Sequence, residues 1–340
     1  MLDDIYPAAP HARPRCARRK LALALTGACL LAPLGALAQA PAWPSRPVTL
    51  VVGTPPGGAI DTYARALAQQ LGQVTGGTFV VDYKPGANGN ISAEFVQKAR
   101  ADGYTLWIGT QAMMTINPSV YPALRWQPAA FKPIAKGVEA PLVLVTHPSV
   151  PARTLPELVK WASTHPDKAA YASFSPGTPS HFLGYQLNQR FKLDMPHIPY
   201  KGSAPQTTDL LGGQVPLGFA QLQSVIQHVQ SGKLNAIAVT SPQRSRHLPQ
   251  VPTLAELGYP ELNTTIWFGL LAPAAAPAPV LEAIAAATQK AQADSGYRAR
   301  LEAQGFDVPQ EYGDAFAATI ARETARWAEV VRATGFKAND

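Results

Sequence analysis

Eight short runs of β-branched and apolar residues, each closed by turn-forming residues, alternate along this chain with amphipathic helical stretches. The runs are PVTLVVG (47–53), FVVDY (79–83), TLWIGT (105–110), PLVLVTH (141–147), AAYASF (169–174), VPLGFA (215–220), LNAIAVTS (234–241) and TIWFGLLAP (265–273). Their composition and punctuation predict strands. Between them, Ile60, Ala64, Leu67, Leu71 and Val74 share one helical face, and TLPELVKWAS repeats the pattern with Leu155, Leu158, Val159 and Ala162. Parallel strands need a crossover, usually a helix, so this alternation points to α/β architecture with mostly parallel sheets.

After Pro277 the pattern turns wholly helical, through VLEAIAAATQKAQAD, GYRARLEAQG and AFAATIARETARWAEVVRATG. Helices without new strands must bury their apolar faces on a sheet built earlier. The expected organisation is therefore a first lobe of residues 44–145 plus 263–340 and a second lobe of residues 146–262 inserted between its two parts. Each lobe is expected to be a mixed, mostly parallel sheet flanked by helices.

The first residues differ in kind. Arg13, Arg15, Arg18, Arg19 and Lys20 precede LALALTGACLLAPLGALA, which ends in the small-x-small pattern Ala36-Leu37-Ala38. This is the layout of a signal peptide over residues 1–38, and it predicts export to the periplasm. The apolar run is broken by Pro33 and Gly35 and falls short of the roughly 20 residues of a membrane span. Lipoprotein processing at Cys29 and the twin-arginine route through Arg18-Arg19 stay open beside general secretion. Both cysteines of the chain, Cys16 and Cys29, lie in this segment, so a mature chain would have no disulfide, thiolate metal site or cysteine nucleophile. The same segment carries five basic and two acidic residues, and without it the formal net charge of +7 falls to +4. No dense Lys/Arg block remains, so no nucleic-acid partner is expected.

Ligands of open α/β sheets bind outside the carboxyl ends of strands. Three loops there share a chemistry: TPPGGAID after the first strand, GTQAMMTINP after TLWI, and SFSPGTPSHF after AAYA. Residues 53–61, 109–118 and 173–181 contain no Lys or Arg. An anion held there would rest on backbone amides, hydroxyls and helix N-termini, which carry about half a unit charge. TPPGGAID lacks the Gly-Lys-Ser/Thr ending of a phosphate loop and the three spaced glycines of a dinucleotide fingerprint. Pro55 and Pro56 stiffen a turn and Gly57 and Gly58 admit positive φ whether or not a ligand is held. Asp61 fits both a bland helix-dipole role and a polar ligand contact; Thr178 and Ser180 fit a helix cap or a second anion contact. His181 lies beside the third loop, and Tyr200 in HIPYKG can line a cleft with its ring and phenol. The histidines show no metal-ligand spacing and no G-x-S-x-G occurs, so neither a metal site nor a catalytic set is expected.

The whole order of motifs carries a resemblance. VTLVVGTPPGGAIDTYARALAQQL, YKPGANGNISAEFVQKARADGYTLWIGT, NPSVY, HIPYKGSAPQTTDLLGGQV, GKLNAIAVTS, LPQVPTLAELGYP and WFGLLAPAAAP together resemble the Bug family, extracytoplasmic solute receptors of tripartite tricarboxylate transporters. The resemblance implies a two-lobed periplasmic-binding-protein fold of type II, closing on a small carboxylate between the lobes. It also implies ligand-binding residues at Thr54, Pro55, Gly57, Gly58, Asp61, Thr110, Gln111 and Ala112 in the first lobe. In the second lobe it implies Ser175, Gly177, Thr178, His181 and Tyr200. Thr54, the ANGN form of the second glycine loop and Gln111-Ala112-Met113-Met114 depart from the family's usual residues. A Met-lined wall suits an apolar or aromatic acid better than citrate. The implied role is a monomeric periplasmic solute-binding protein without cofactor, handing an organic or amino acid to integral membrane transporter subunits. A sensor-kinase receptor subunit and an exported enzyme on the same scaffold are the alternatives.

Overall fold

In the computed structural model, residues 43–338 are described. The expected signal peptide over residues 1–38 lies outside the described residues. The first strand, β1 (Val48–Val52), is buried at Val48, Leu50, Val51 and Val52. Both of its faces are covered, which is why its sequence is a continuous apolar run rather than an alternation. Helix α1 (Ala59–Thr75) buries Ile60, Tyr63, Ala64, Leu67 and Leu71 along one stripe and ends at Gly76, whose φ of 73° closes the helix. Then follow β2 (Phe79–Tyr83), α2 (Asn90–Lys98) and β3 (Thr105–Thr110). β1 pairs in parallel with β2 and β3, with Val52 opposite Tyr83 and Ile108.

A single π-helical turn, Ala112–Ile116, leads from β3 into α3 (Asn117–Val120) and the 16-residue strand β4 (Phe131–Thr146). Helix α4 (Leu155–Thr164) starts on a capping box in which Thr154 and Glu157 bond each other's backbone. The order continues β5 (Tyr171–Ser173), α5 (Pro179–Phe191), β6 (His197–Pro199), α6 (Ser203–Leu211), β7 (Leu217–Gln221), α7 (Leu222–Gln230) and β8 (Asn235–Val239). It closes with β9 (Thr265–Pro273), α8 (Ala278–Ala293), α9 (Ser295–Ala303), β10 (Glu311–Tyr312) and α10 (Gly313–Thr334).

Among the described residues the strands join in one mixed sheet, ordered β2-β1-β3-β9-β4-β7-β5-β6, with β10 and β8 added on β4. Pairing is parallel where helices connect the strands, as in β5 with β6 and β7, and antiparallel wherever β4 or β9 takes part. β4 serves both halves of the sheet. Its residues 131–141 pair with β9, and its residues 142–146 pair with β7 and β8. The sequence pattern placed a strand only from residue 141; Pro133, Lys136 and Gly137 hide the earlier part, where the register also shifts twice.

Two of the three helices after Pro277 contact β4 and β9. Gln292 on α8 donates to the carbonyl oxygens of Lys136 and Gly137, both at 3.0 Å, and Phe316 on α10 packs on Trp267 of β9. Trp327 of α10 also reaches Phe182 on α5, with ring centres 6.0 Å apart. No helix among the described residues is long and apolar enough to cross a membrane.

Candidate ligand cavity

The carboxyl ends of β1, β3, β5, β6 and β7 face a cavity of about 540 Å³ between the two halves of the sheet. Three helices begin at it: α1 at Gly58-Ala59, α5 at Thr178-Pro179 and α6 at Gly202-Ser203. None of the three has a side-chain hydrogen bond at its cap. Helix N-termini with uncapped amides present partial positive charge and free donors to whatever fills the space. Among the described residues no Asp or Glu lines the cavity, and Lys201 is the cation in its lining. Apolar surface comes from Met113, Tyr121, Phe174, Ile266, Trp267 and Phe268.

The structure brings most of the expected site residues to this wall. Thr54, Pro55, Gly58, Thr110, Gln111, Ala112, Ser175, Thr178 and Tyr200 all line it. Gly57, Asp61, Gly177 and His181 are not among the lining residues. Asp61 Oδ2 accepts from Gly57 N at 2.9 Å, and Oδ1 accepts from Arg65 Nε at 2.7 Å and from the Tyr83 hydroxyl. Burial pushes its pKa up, yet the bonds from Tyr83 and Gly57 and the Arg65 guanidinium hold it below the ordinary carboxylate value. Asp61 thus shapes the loop: its bond to Gly57, at φ 93°, folds the Pro-Pro-Gly-Gly turn over the start of α1.

His181 does the same for the third loop. Its Nδ1 accepts from Gly177 N at 3.2 Å, while its ring stacks on His197 with centres 3.9 Å apart and meets Phe336 edge-on. Thr178 Oγ1 donates to Ser175 O at 2.6 Å, which turns the loop tightly into α5. Tyr200 offers the cavity its ring, because its hydroxyl donates to Asp209 Oδ2 at 2.8 Å. Burial, with Asp209 beside it, pushes that phenol up to about 12.

Several lining residues were not singled out from the sequence. Gln221 ends β7, and Lys201 to Ser203 follow β6, so the strand-end rule itself pointed to both places. Asn88 sits in a left-handed run, with φ of 45° at Ala87, 50° at Asn88 and 88° at Gly89. Its Oδ1 accepts from Ser175 Oγ at 3.0 Å across the cavity, and its Nδ2 donates to Asn117 Oδ1 at 3.0 Å. Two buried polar atoms at the cavity have no partner: Thr54 Oγ1 and Gln111 Oε1. Among the described residues no group of acidic, His or Cys side chains is placed to hold a metal.

The model of the family described as "Tripartite tricarboxylate transporter family receptor" matches residues 63–336. Protein BugT of Bordetella pertussis is 35% identical over 308 residues, covering 89% of this chain and 94% of BugT. The solved structure of the periplasmic binding protein BugD superposes with a TM-score of 0.81 at 33% identity, over 87% of this chain and 99% of BugD. A protein of R. palustris solved with adipate gives 0.82 at 30% identity, over 87% of this chain and 99% of its own. The fold is that of the periplasmic binding proteins, and the matching family is one of receptors. With the matched region spanning most of the described residues, the chain belongs to the tripartite tricarboxylate transporter receptor family, the group that includes the Bug proteins.

Proposed function

We propose that this protein captures a small carboxylate in the periplasm and presents it to integral membrane transporter subunits. The observation that carries the reading is the convergence of three uncapped helix N-termini on a cavity without a lining carboxylate. Each neutral hydrogen bond nets only about 0.5–1.5 kcal/mol, so such a cradle holds an anion firmly through several bonds and still releases it. The adipate held by a relative is such an anion. The proposed site residues are the nine lining positions given above, with Gly57, Asp61, Gly177 and His181 shaping their loops.

The mechanism proposed is closure of two lobes, residues 44–145 plus 263–340 against residues 146–262. A ligand shifts the open-closed balance only by contacts it makes better in the closed state. The Ser175–Asn88 bond crosses the cavity and adds to that state. Ser175→Ala is therefore expected to weaken ligand binding about twofold to tenfold, the worth of one such bond, with little change in thermal midpoint. Isothermal titration of both forms checks this, and equal affinities would remove the bond from the mechanism.

The reading as a whole is tested by thermal-shift screening of protein purified from a periplasmic extract. Mono-, di- and tricarboxylates, aromatic acids and amino acids form the panel. At a hundredfold excess over its Kd a ligand adds about 2.7 kcal/mol, enough to raise the midpoint by roughly 5 °C in a chain of this size. Silence across every acid would refute carboxylate capture.

A further inference from the structure

Gly335, at φ 63°, stops α10, and Phe336 N donates back to Thr334 Oγ1 at 3.1 Å. A helix stop needs no more than that, yet the residues that follow bind two separate elements. The half-buried Phe336 ring meets His181 edge-on, with centres 4.8 Å apart, and Phe182 at 5.9 Å, both on α5. Two residues on, Ala338 N donates to Val120 O at 2.9 Å at the end of α3, and Lys337 Nζ donates to Ser119 O at 3.4 Å. Residues 336–338 thus tie α5 to α3. Beside them lies the third loop of the cavity: a Cβ added to Gly177 would stand 3.5 Å from Phe336 Cε1, 3.5 Å from Val120 Cγ2 and 3.9 Å from Asn88 Nδ2. Gly177 N is held by His181 Nδ1, and the His181 ring is itself fixed by His197, stacked at 3.9 Å, and by Phe336.

We propose that Phe336, with Ala338, is a positioning residue of the binding site: the C-terminal segment clasps α5 to α3 and so holds the Ser175–Thr178 loop ready for a ligand. This rests on the site proposed above and adds to it a residue that is not among those lining the cavity. In the lobes proposed there, α3 belongs to the first and α5 to the second. Without the Phe336 ring, His181 keeps His197 and Phe182 as ring neighbours and is free to turn away from Gly177 N. The loop then loses the bond that fixes Gly177 at φ 67°, and Ser175 loses its aim at Asn88. Without the bond from Ala338 to Val120, α10 alone tethers the ring. A loop already ordered spares the ligand the cost of ordering it, so the clasp tightens binding without touching the ligand. A ring that merely covered the end of α10 would leave this loop unaffected.

Hydrogen exchange read by mass spectrometry on the intact exported protein decides the matter, because it needs no ligand. In Phe336→Ala the amides of residues 175–182 are expected to exchange about threefold to tenfold faster, the worth of one edge-on ring pair, while those of α1 and of α10 up to Trp327 keep the parent's rates. Ala338→Pro, which removes the N–H that bonds Val120, should quicken the same amides. Phe336→Tyr keeps the ring and should restore the parent's exchange. Titration calorimetry with adipate and with malate adds the binding readout: an acid that binds the parent should bind Phe336→Ala about threefold to tenfold more weakly and Phe336→Tyr equally well. Unchanged exchange at 175–182 overturns the clasp, and so does faster exchange spread through α1 and α10, or parent-like affinity in Phe336→Ala. Silence of the parent toward both acids weighs on carboxylate capture alone, and exchange then decides the clasp by itself.

Discussion

Lowering the pH from 7 to 4.5 is expected to cost this protein on the order of 5 kcal/mol of folding stability through two histidines alone. Burial pushes His181 down from 6.5 to about 3, with His197 beside it, and burial pushes His197 down to about 4. An unfolded chain takes up both protons near pH 6.5, whereas the folded chain refuses them until well below. The unfolded state thus binds more protons in that window, and stability, complete above pH 6.5, falls as the pH drops through it. Each imidazole contributes roughly 1.4 kcal/mol for each pH unit, and the window from 6.5 to 4.5 counts twice. The geometry explains the refusal. The rings stack 3.9 Å apart; His181 Nδ1 accepts from Gly177 N, and His197 Nε2 shares a 2.7 Å bond with Ser173 Oγ. A protonated His181 loses the acceptor that holds Gly177, so the loop of Ser175 and Thr178 is released with it. Urea denaturation at both pH values measures the loss, and His181→Gln with His197→Gln is expected to remove most of it, since a Gln carbonyl accepts from Gly177 at any pH. Parallel pH profiles for the two proteins would rule out this origin.

That stacked pair also shows where sequence reading stops. The histidines are scattered along the chain and have no spacing that marks a site; only the parallel pairing of β5 with β6, with α5 laid over it, brings His181 to His197. Strand existence, by contrast, was legible because local composition and turn residues decide it, as in VTLVV and TIWFGLLAP. The first part of β4 was not, because its pairing is set by partners more than a hundred residues away, β9 and β10, which override a proline and a glycine.

The site divides along the same line. Loops that follow strands announce themselves through Gly, Pro, Ser and Thr, and Thr54, Thr110, Ser175 and Thr178 all line the cavity. Which polar group turns inward depends on neighbours the spacing does not reveal. Asp61 was expected as a ligand contact and bonds Gly57, Arg65 and Tyr83, while Gln111, also expected at the ligand, lines the cavity with its Nε2 donating to Glu323 on the last helix.

The second large effect is expected at Gly137, on the hidden part of β4. A Cβ there would stand 1.8 Å from the Tyr63 hydroxyl oxygen and 2.1 Å from Cζ of the same ring. Gly137 is absent from the positive-φ residues, so space and not backbone strain demands the missing side chain. Neither partner yields easily. Tyr63 is 0% exposed on α1, packed against Phe268, and the Gly137 carbonyl is held by Gln292 Nε2 at 3.0 Å. Gly137→Ala must therefore displace either a central strand or a buried ring, and overpacking of this kind costs about 1–3 kcal/mol or more. A value of about 3 kcal/mol or above, read from urea denaturation, is expected because backbone and ring are both fixed. The hydroxyl alone is not the obstacle, since ring carbons also lie within 2.6 Å of the added methyl. Tyr63→Phe should then leave the penalty largely in place, whereas in a Tyr63→Leu background the same Gly137→Ala change should cost less than about 1 kcal/mol. The Tyr63→Phe protein by itself is expected to be as stable as the parent or slightly more so, because its lost hydroxyl is buried without a partner. A double-mutant cycle over these forms isolates the clash, and a penalty that survives Tyr63→Leu undiminished would mean that β4 needs glycine here for some reason other than Tyr63.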